Sequence, residues 1–291
     1  MPKKSEDITL NVPYEKSIEN NEETLQKILI LIKDHTGHDF SFYKESTVTR
    51  RTKRRMHVHQ LDSLNEYYNY IEKHPNEINT LFNDLLINVT SFFRDSNAFD
   101  IFEKELISEV LDKKVSGDTV RIWIPGCATG EEVYSVAVII YEYMEKSGKH
   151  LKVRIFGTDI DDNAILTARS SVYPCKIAED ITSERLNKFF IKKDDNYKVK
   201  KNIREMAIFA LHDILIDSPF SKIDVISCRN VLIYMNKDAQ NKILSAFIYA
   251  LKPNGILFLG PSESISTFAE SLHTLSSKWK IYQLKEQNMD I

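Results

Sequence analysis

The sequence predicts an α/β protein: a mostly parallel sheet with helices on both faces, an all-helical N-terminal domain before it, and a small inserted β-subdomain. Three observations lead to this prediction. Up to about residue 88 the segments have helical character and none is a convincing strand. After residue 95, short apolar runs alternate with helix-length segments, which is the pattern of a parallel sheet. The polar and charged stretch 173–205 interrupts that alternation and is predicted to be the insert.

The N-terminal part of the chain is predicted to be helical, between mobile ends. Residues 1–20 and the last few residues are expected to form mobile tails, and residues 21–87 the helical domain. Residues 88–95 link this domain to the sheet domain, residues 96–291, and are expected to contribute to its ligand site. The predicted helices of the N-terminal domain cover residues 22–35, 45–60, 63–73 and 75–86.

The sheet domain follows from the alternation of strand-length and helix-length segments. Open α/β folds of this type bind their ligands where the strands end, at the carboxyl edge of the sheet. The insert is locally strand-like at residues 197–199. The predicted strands are residues 120–124, 153–158, 207–211, 223–227, 256–259 and 280–284, and the predicted helices are residues 133–144, 163–170 and 239–251.

Composition argues against several classes of protein. Of the 291 residues, 42% are hydrophobic and 28% charged, so a sizeable core is expected. The net charge of -3 argues against general nucleic-acid binding. Three cysteines without metal-ligand spacing favour reduced thiols and no metal site. Without a signal core, a membrane-length apolar run or a heptad repeat, the chain is expected to be a cytoplasmic monomer that does not insert into membranes.

The most informative segment is residues 121–134, where an apolar strand runs into a turn with two glycines and then an acidic helix start. Gly126 and Gly130 let the backbone turn and approach a ligand closely. Glu131 and Glu132 would repel a pyrophosphate but can accept hydrogen bonds from an amino group or a ribose hydroxyl. The segment therefore suits an adenosyl cofactor. The alternative is a turn that only packs a strand against a helix.

The next predicted strand ends at Asp159, where a doubly wound fold places the acidic residue that binds ribose hydroxyls. Asp159 is therefore the ribose candidate. Asp161 and Asp162 follow directly, and they are predicted to cap the helix that begins near Asn163, because aspartate satisfies unpaired N–H groups at a helix start.

The linker, residues 88–95, supplies a candidate for carboxylate binding. Arg94 stands beside Phe92 and Phe93 and is suited to hold a carboxylate with its planar guanidinium. The two aromatic residues on their own are equally typical of a hydrophobic contact between domains.

A second polar cluster follows the predicted strand at residues 223–227. This apolar strand delivers Cys228, Arg229 and Asn230 to the carboxyl edge, and polar residues at a strand end favour a function over packing. Tyr234 lies four residues beyond Asn230 and is either a catalytic group or an aromatic residue half-buried on a helix.

A basic segment, residues 48–60, is predicted to be helical. Val48, Thr52 and Met56 share one face at helical spacing. Basic faces are usually just solvated, but four arginines in six residues of an acidic protein favour an acidic partner. These residues are Arg50, Arg51, Arg54 and Arg55.

Five motifs, in chain order, resemble the chemotaxis receptor methyltransferase (CheR-type) family over about residues 24–284. The resemblance implies an S-adenosylmethionine-dependent protein-glutamate O-methyltransferase with a class I methyltransferase (Rossmann-like) sheet. It also implies S-adenosylhomocysteine as product and a methyl-accepting chemotaxis receptor, or a related signalling protein, as partner. The motifs are NVTSFFRD, GCATGEEVYS, GTDID, FSKIDVISCRNVLIYM and LKPNGILFLGPSES.

The resemblance also implies roles for single residues. Arg94 and Tyr234 match the pair near the transferred methyl group, and the arginines of the basic helix match a surface that contacts the receptor's methylated helices. Val133 stands where the family commonly has Pro, and Asp213 where it has Asn, so the adenine-edge contact at Asp213 stays open. The positions that match cofactor contacts are Asn88, Thr90, Arg94, Glu131, Asp159, Asp213, Ile214, Arg229 and Asn230.

Two other functions stay open at the level of sequence. A class I methyltransferase acting on RNA or a small molecule would use the basic helix for phosphate contacts, and its RNA binding would weaken steeply with salt. A signalling module that binds S-adenosylmethionine without transferring methyl is the other. The sequences of the motifs resemble those of methyltransferase modules fused to further signalling domains, which leaves the substrate open.

Overall fold

The computed structural model describes the backbone of residues 14–286 and the side chains of residues 21–265 and 267–286. The chain divides into two compact units, Met1–Leu86 and Ile87–Ile291, which we call the helical unit and the sheet unit. The predicted fold class is confirmed, with helices and no sheet in the described part of the first unit, residues 14–86, and a mostly parallel sheet in the second. No helix among the described residues is long and apolar enough to cross a membrane.

The helical unit begins earlier than the sequence pattern indicates. Residues 14–20 of the predicted mobile tail belong to the first helix, because no Gly or Pro interrupts the chain from Tyr14 until Gly37. Residues 1–13 of that tail, and the C-terminal residues 287–291, lie outside the described residues. The helices are α1 (Tyr14–Thr36), α2 (Glu45–Val58), α3 (Leu64–Lys73) and α4 (Asn76–Leu85).

Helix α2 has an inner and an outer side, and one predicted surface arginine lies on the inner side. The guanidinium of Arg55 is only 14% exposed and donates two hydrogen bonds, of 2.8 and 2.9 Å, to the carboxylate of Glu77 on α4. Tyr67 of α3 donates a third bond to Glu77, at 2.8 Å, and His59 lies 3.0 Å from it. The prediction that Arg55 joins an exposed binding face is therefore wrong, because it pairs with an internal carboxylate.

The sheet unit is a seven-stranded sheet in the order β6-β2-β1-β7-β8-β10-β9, with a separate three-stranded sheet in the order β3-β5-β4. The strand order, not the strand direction, reverses between β1 and β7: β2 and β6 are added on one side of β1, and β7 and β8 on the other. This is the switch point where open α/β folds bind ligands. The strands are β1 (Thr119–Pro125), β2 (Lys152–Asp159), β3 (Val172–Pro174), β4 (Phe190–Lys193), β5 (Asn196–Val199), β6 (Ala207–Leu211), β7 (Ile223–Cys228), β8 (Leu251–Leu259), β9 (Leu272–Ser276) and β10 (Ile281–Leu284).

Helices of the sheet unit follow the strands, apart from one that precedes β1. Helix α5 comes directly after residues 88–95 and continues into a π-helical turn at Ile107–Leu111. The sequence pattern predicted neither this helix nor strand β9. Strands β6, β2, β1, β7 and β8 pair in parallel, and β10 pairs antiparallel with β8 and β9. The helices are α5 (Ser96–Leu106), α6 (Glu131–Ser147), α7 (Asp162–Ser170), α8 (Ser183–Phe189), α9 (Lys201–Arg204) and α10 (Lys237–Ala250).

The internal pair in the helical unit gives a stability prediction. Replacing Arg55 by Ala leaves the Glu77 carboxylate buried without its main partner, and breaking such a pair destabilises a fold by about 3 kcal/mol. Hydrogen exchange of amides in α2, α3 and α4 should therefore quicken. The exposed neighbour Arg54→Ala is the matched control and should leave exchange unchanged. Equal exchange in both variants would contradict an internal role for Arg55.

Candidate cofactor site

The turn after β1 requires glycine at two positions. Gly126 and Gly130 have φ values of +66° and +91°, a region that disfavours side chains. A Cβ atom at Gly126 would lie 2.4 Å from Val231 Cγ2, and one at Gly130 would lie 2.8 Å from Ala168 Cβ. The glycines are therefore needed both for the turn and for close packing around it. The alternative that the turn packs a strand against a helix thus accounts for part of their role.

Asp159, the predicted ribose residue, lies at the end of β2 and also fixes the glycine turn. Its Oδ2 accepts a 2.8 Å bond from the Ala128 N–H, and its Oδ1 accepts a 3.0 Å bond from the Asp161 N–H. Burial raises the pKa of Asp159, although these backbone bonds oppose the rise. A carboxylate has about four lone-pair sites, so Asp159 keeps acceptor capacity for a ligand hydroxyl.

The two glutamates at the start of α6 have different tasks. Glu131 accepts a 2.7 Å bond from the Thr129 hydroxyl, and burial raises the pKa of Glu131. Glu132 instead accepts bonds of 2.6 Å from Ser227 and 3.2 Å from Arg229, both on or next to β7. Glu132 is distinguished from Glu131 by its ion pair with the buried Arg229 guanidinium. The prediction that one of these glutamates receives a ligand therefore stays with Glu131.

Residues 88–95, which we call the strap, are tied to three elements at the carboxyl edge. The Asn88 amide donates to Asp161 Oδ2, just beyond β2. The Phe93 N–H donates a 3.0 Å bond to the Ser135 hydroxyl on α6. Arg229, at the end of β7, donates to the Arg94 carbonyl at 3.0 Å and to Asp95 Oδ2 at 2.8 Å.

The aromatic residues of the strap fill the core of the sheet unit. Phe92 packs edge-on against Tyr173 and Phe190, with ring centroids 5.0 and 5.3 Å apart, and Phe93 packs against Phe99 at 5.7 Å. Phe93 also takes a left-handed backbone, as does Asp95, with φ values of 49° and 60°. The strap is therefore held in a bent conformation by its hydrogen bonds and by its buried rings.

The predicted pair Arg94 and Tyr234 lies on two segments that Arg229 connects. Arg94 is half-buried, and its Nη1 donates a 2.9 Å bond to the Val89 carbonyl. Tyr234 closes the 3₁₀ turn Leu232–Tyr234 that follows β7, and its side chain is also half-buried. Neither side chain is in the hydrophobic core. Tyr234 is half-buried, as one of its two predicted readings has it, and this degree of burial also allows contact with a ligand.

The side chain of Arg229 is turned into the protein. It is 1% exposed, pairs with Glu132 and Asp95, and lies over the rings of Phe99 and Phe258 at 5.3 and 4.7 Å from their centroids. Arg229 was predicted to contact the cofactor, but its guanidinium is bound by protein groups. What it does in this structure is to hold the strap, α6 and β7 together.

A buried carboxylate that the sequence analysis did not single out fixes the loop after β7. Glu263 accepts hydrogen bonds of 2.6–3.2 Å from four backbone N–H groups, those of Gly260, Asn230, Val231 and Leu232. Asn230 takes a left-handed backbone, with φ at 59°. Glu263 lies in the LGPSES motif, but nothing in local spacing links it to a loop some thirty residues earlier.

The last two predicted positions follow β6, next to β2. The Asp213 carboxylate accepts a 2.8 Å bond from the Leu215 N–H, while the Asp213 N–H donates a 2.8 Å bond to Asp217 Oδ2. Ile214 is half-buried, as is Thr90 on the strap. Asp213 therefore stabilises its own turn, whatever contact it makes with an adenine edge.

The predicted cap at Asp161 is confirmed, because its Oδ1 accepts hydrogen bonds from the N–H groups of Asn163 and Ala164.

The family comparison identifies this α/β chain as an S-adenosylmethionine-dependent methyltransferase. Comparison with family models identifies two matches in this chain. The CheR methyltransferase SAM-binding domain matches residues 88–281, and the CheR methyltransferase all-alpha domain matches residues 23–86. The chain belongs to the CheR methyltransferase family, as its motifs had indicated.

Similar proteins include both short and long relatives. The chemotaxis protein methyltransferase of Escherichia coli K12 is 30% identical over 83% of this chain and 84% of its own length. That of Borreliella burgdorferi is 29% identical over 86% of this chain and 90% of its own length. An uncharacterized 104.1 kDa protein from the hypE 3' region of Rhodobacter capsulatus is 35% identical over 90% of this chain, which spans only 27% of that protein.

The residues at the switch point fit S-adenosylmethionine, the cofactor of this family. Asp159 and Glu131 keep carboxylate oxygens near a turn whose glycines allow close backbone approach. Asn230 Oδ1 is buried and has no hydrogen-bond partner among the described residues, so it can accept a bond from a ligand donor. Asp159, Glu131 and Asn230 are therefore the side chains that would hold the cofactor's polar groups.

Cofactor affinity should fall on acidification. The pKa values of Asp159 and Glu131 are raised above their ordinary 3.8 and 4.5, so both carboxylates protonate at a higher pH than exposed ones and then lose acceptor capacity. Calorimetric titration with S-adenosylhomocysteine from neutral pH to about pH 4, where ordinary carboxyl groups begin to protonate, measures this. Asp159→Asn should bind more weakly and show a flatter pH dependence. Constant affinity of the unmodified protein over this range would contradict the assignment.

Replacing Glu263 should disturb the loop that carries Asn230. Glu263→Gln places an amide NH₂ group among backbone donors, which should lower stability by about 2 kcal/mol and weaken S-adenosylhomocysteine binding. Thermal unfolding and calorimetry measure the two effects. Glu270→Gln is the control, because Glu270 is exposed and lies close to Glu263 in the sequence. Unchanged cofactor affinity in Glu263→Gln would show that Glu263 does not position the site.

Proposed function

We propose that this protein transfers a methyl group from S-adenosylmethionine to glutamate side-chain carboxylates of a signalling protein, giving glutamate methyl esters. A methyl-accepting chemotaxis receptor is the proposed acceptor. The observation that carries the proposal is the strap of a CheR-family methyltransferase domain, which holds Arg94 at the carboxyl edge of the sheet. The relatives that are named chemotaxis protein methyltransferases support the choice of acceptor.

Methylation of a carboxylate makes modest chemical demands on the protein. Glutamate is already ionised at neutral pH, so no residue has to remove a proton from it. When bound, S-adenosylmethionine supplies an activated methyl group together with its own leaving group. The protein must therefore align the acceptor carboxylate and exclude water, and alignment alone accounts for large rate effects.

Arg94 is suited to that alignment. Its backbone is fixed by the Arg229 bond to its carbonyl, and one guanidinium nitrogen is held by the Val89 carbonyl. A guanidinium has five N–H donors, so most remain to bind an acceptor carboxylate. Too strong a contact would weaken the nucleophile, and we therefore give Arg94 a positioning role. Tyr234, on the turn beyond Arg229, is proposed to donate a hydrogen bond near the reacting groups.

The exposed side of α2 is the proposed receptor-binding surface. Arg50, Lys53, Arg54 and His57 recur at helical spacing and are all exposed, whereas Arg51 is half-buried. Acceptor glutamates give their own helices a negative charge, and a basic stripe would bind them and speed their encounter. Of the four predicted arginines, the proposed surface therefore includes Arg50 and Arg54, and Arg51 lies at its margin. Arg55 stabilises the helical unit instead.

Transfer of radiolabelled methyl from S-adenosylmethionine to receptor fragments tests the proposed function. Label on protein that mild alkali releases as volatile methanol would identify carboxyl methyl esters and support the proposal. Label that resists alkali, label on RNA, or cofactor binding with no transfer to receptor fragments from the same organism would each contradict it.

Arg94→Ala should remove most turnover while leaving the fold intact. A loss of at least about a hundredfold in kcat is expected, because substrate alignment contributes on that scale. Arg94→Lys keeps the charge without the planar fork and should recover only part of the rate. Methyl-transfer kinetics, with circular dichroism for the fold, measure both. Full activity of Arg94→Ala would contradict its role.

Replacing Arg50 and Arg54 together by Ala should raise KM for the receptor fragment about tenfold or more and leave S-adenosylhomocysteine affinity unchanged. The salt dependence of KM should also become weaker, because charge attraction is lost. Lys104→Ala, at an exposed position on α5, is the control. Parallel losses of receptor and cofactor binding would indicate damaged folding and not a lost contact.

A further inference from the structure

A cavity of about 360 Å³ opens in the sheet unit beside strand β6, which is the edge strand of the main sheet. Three cations line it: Arg169 at the end of α7, and Lys201 and Arg204 on α9. Tyr134 and Phe209 provide aromatic wall. The volume is within the range of small-ligand sites, and none of these residues belongs to the predicted cofactor or substrate sets.

The cavity carries a net positive charge. Lys201 pairs with Glu205, the one acidic residue of its lining, at 3.5 Å. No carboxylate within the described part of the chain lies within salt-bridge distance of Arg169 or Arg204. Since Glu205 pairs with Lys201, two guanidinium charges face the cavity without a carboxylate partner.

Arg204 lines the cavity and has a buried donor that the fold does not pair. Its Nε is buried and makes no hydrogen bond to any described residue. A buried donor without a partner is unfavourable, and such groups normally have a protein or ligand acceptor. The charge of Arg204 is also close enough to Tyr134 to oppose the rise that burial causes in the pKa of that tyrosine. Arg204 thus lies against the cavity wall with unused donor capacity.

Arg169 is fixed where it can act with Arg204. Its Nε and Nη2 donate bonds of 3.3 and 2.9 Å to the Phe209 carbonyl. That contact covers an edge-strand carbonyl, which is a common way to protect a sheet edge. Edge protection explains Arg169, but it does not require a second, unpaired arginine in the same cavity.

We infer that this cavity binds the phosphate group of a small molecule. A phosphate dianion matches the two uncompensated charges, and guanidinium groups bind phosphate oxygens through paired N–H donors. Phe209 and Tyr134 are available to an organic part of the ligand. Phe209 also lies beside the glycine turn, since its ring would be 3.2 Å from a Cβ atom on Gly130, but neither glycine of that turn lines the cavity.

Calorimetric titration with inorganic phosphate and with ribose 5-phosphate tests the inference. The protein is first saturated with S-adenosylhomocysteine, so that binding in the cofactor site does not contribute, and chloride keeps the ionic strength constant. The expected result is saturable binding of one phosphate compound per chain. If ribose 5-phosphate binds more tightly than inorganic phosphate, the aromatic wall contacts the organic part of the ligand. Equal affinities would indicate that the ligand is free phosphate.

Variants decide whether Arg204 is responsible. Arg204→Met should weaken phosphate binding about tenfold or more, and Arg204→Lys, which keeps the charge but loses the fork, should lie between. Lys104→Met, at an exposed cation on α5 that does not line the cavity, should bind phosphate normally. Near-ultraviolet circular dichroism checks that the variants remain folded. Absence of saturable binding, or equal binding by folded Arg204→Met, would overturn the inference.

Discussion

The buried guanidinium of Arg229 is the interaction on which the site depends. An isolated charge with 1% exposure would be strongly unfavourable, so its partners cannot be removed without cost. Those partners are Glu132 at the start of α6, Asp95 and the Arg94 carbonyl on the strap. One side chain thereby joins the end of β7 to the helix after the glycine turn and to the segment that carries Arg94.

Other charged groups around the switch point also hold backbone in place. Asp159 fixes the glycine turn, Asp161 caps α7 and binds Asn88, and Glu263 receives four N–H groups of the loops after β7 and β8. Groups fixed in this way need little rearrangement when a ligand arrives, which is the basis of preorganised binding. The same carboxylates retain limited free acceptor capacity, so few side chains are left to contact the cofactor directly.

Local patterns in the sequence predicted most strands, most helices and the Asp161 cap, because apolar periodicity and capping act over a few residues. Partners that are distant in the chain were not predictable in this way. Arg55 lies beside the buried stripe of α2, and only Glu77, 22 residues later, decides that it turns inward. Glu132 and Arg229 are 97 residues apart, and spacing does not reveal their pairing. The family motifs predicted the site region, whereas only the structure shows which of its residues are bound by other protein groups.

A double-mutant cycle on Arg229 and Asp95 tests most directly whether this network assembles the cofactor site. S-adenosylhomocysteine affinity would be measured for Arg229→Lys, Asp95→Ala and the double variant, each checked for folding by circular dichroism. If the two residues act through one contact, both single variants bind more weakly and the double variant is little worse than Arg229→Lys. Unchanged affinity in the single variants, or losses that simply add, would contradict the account.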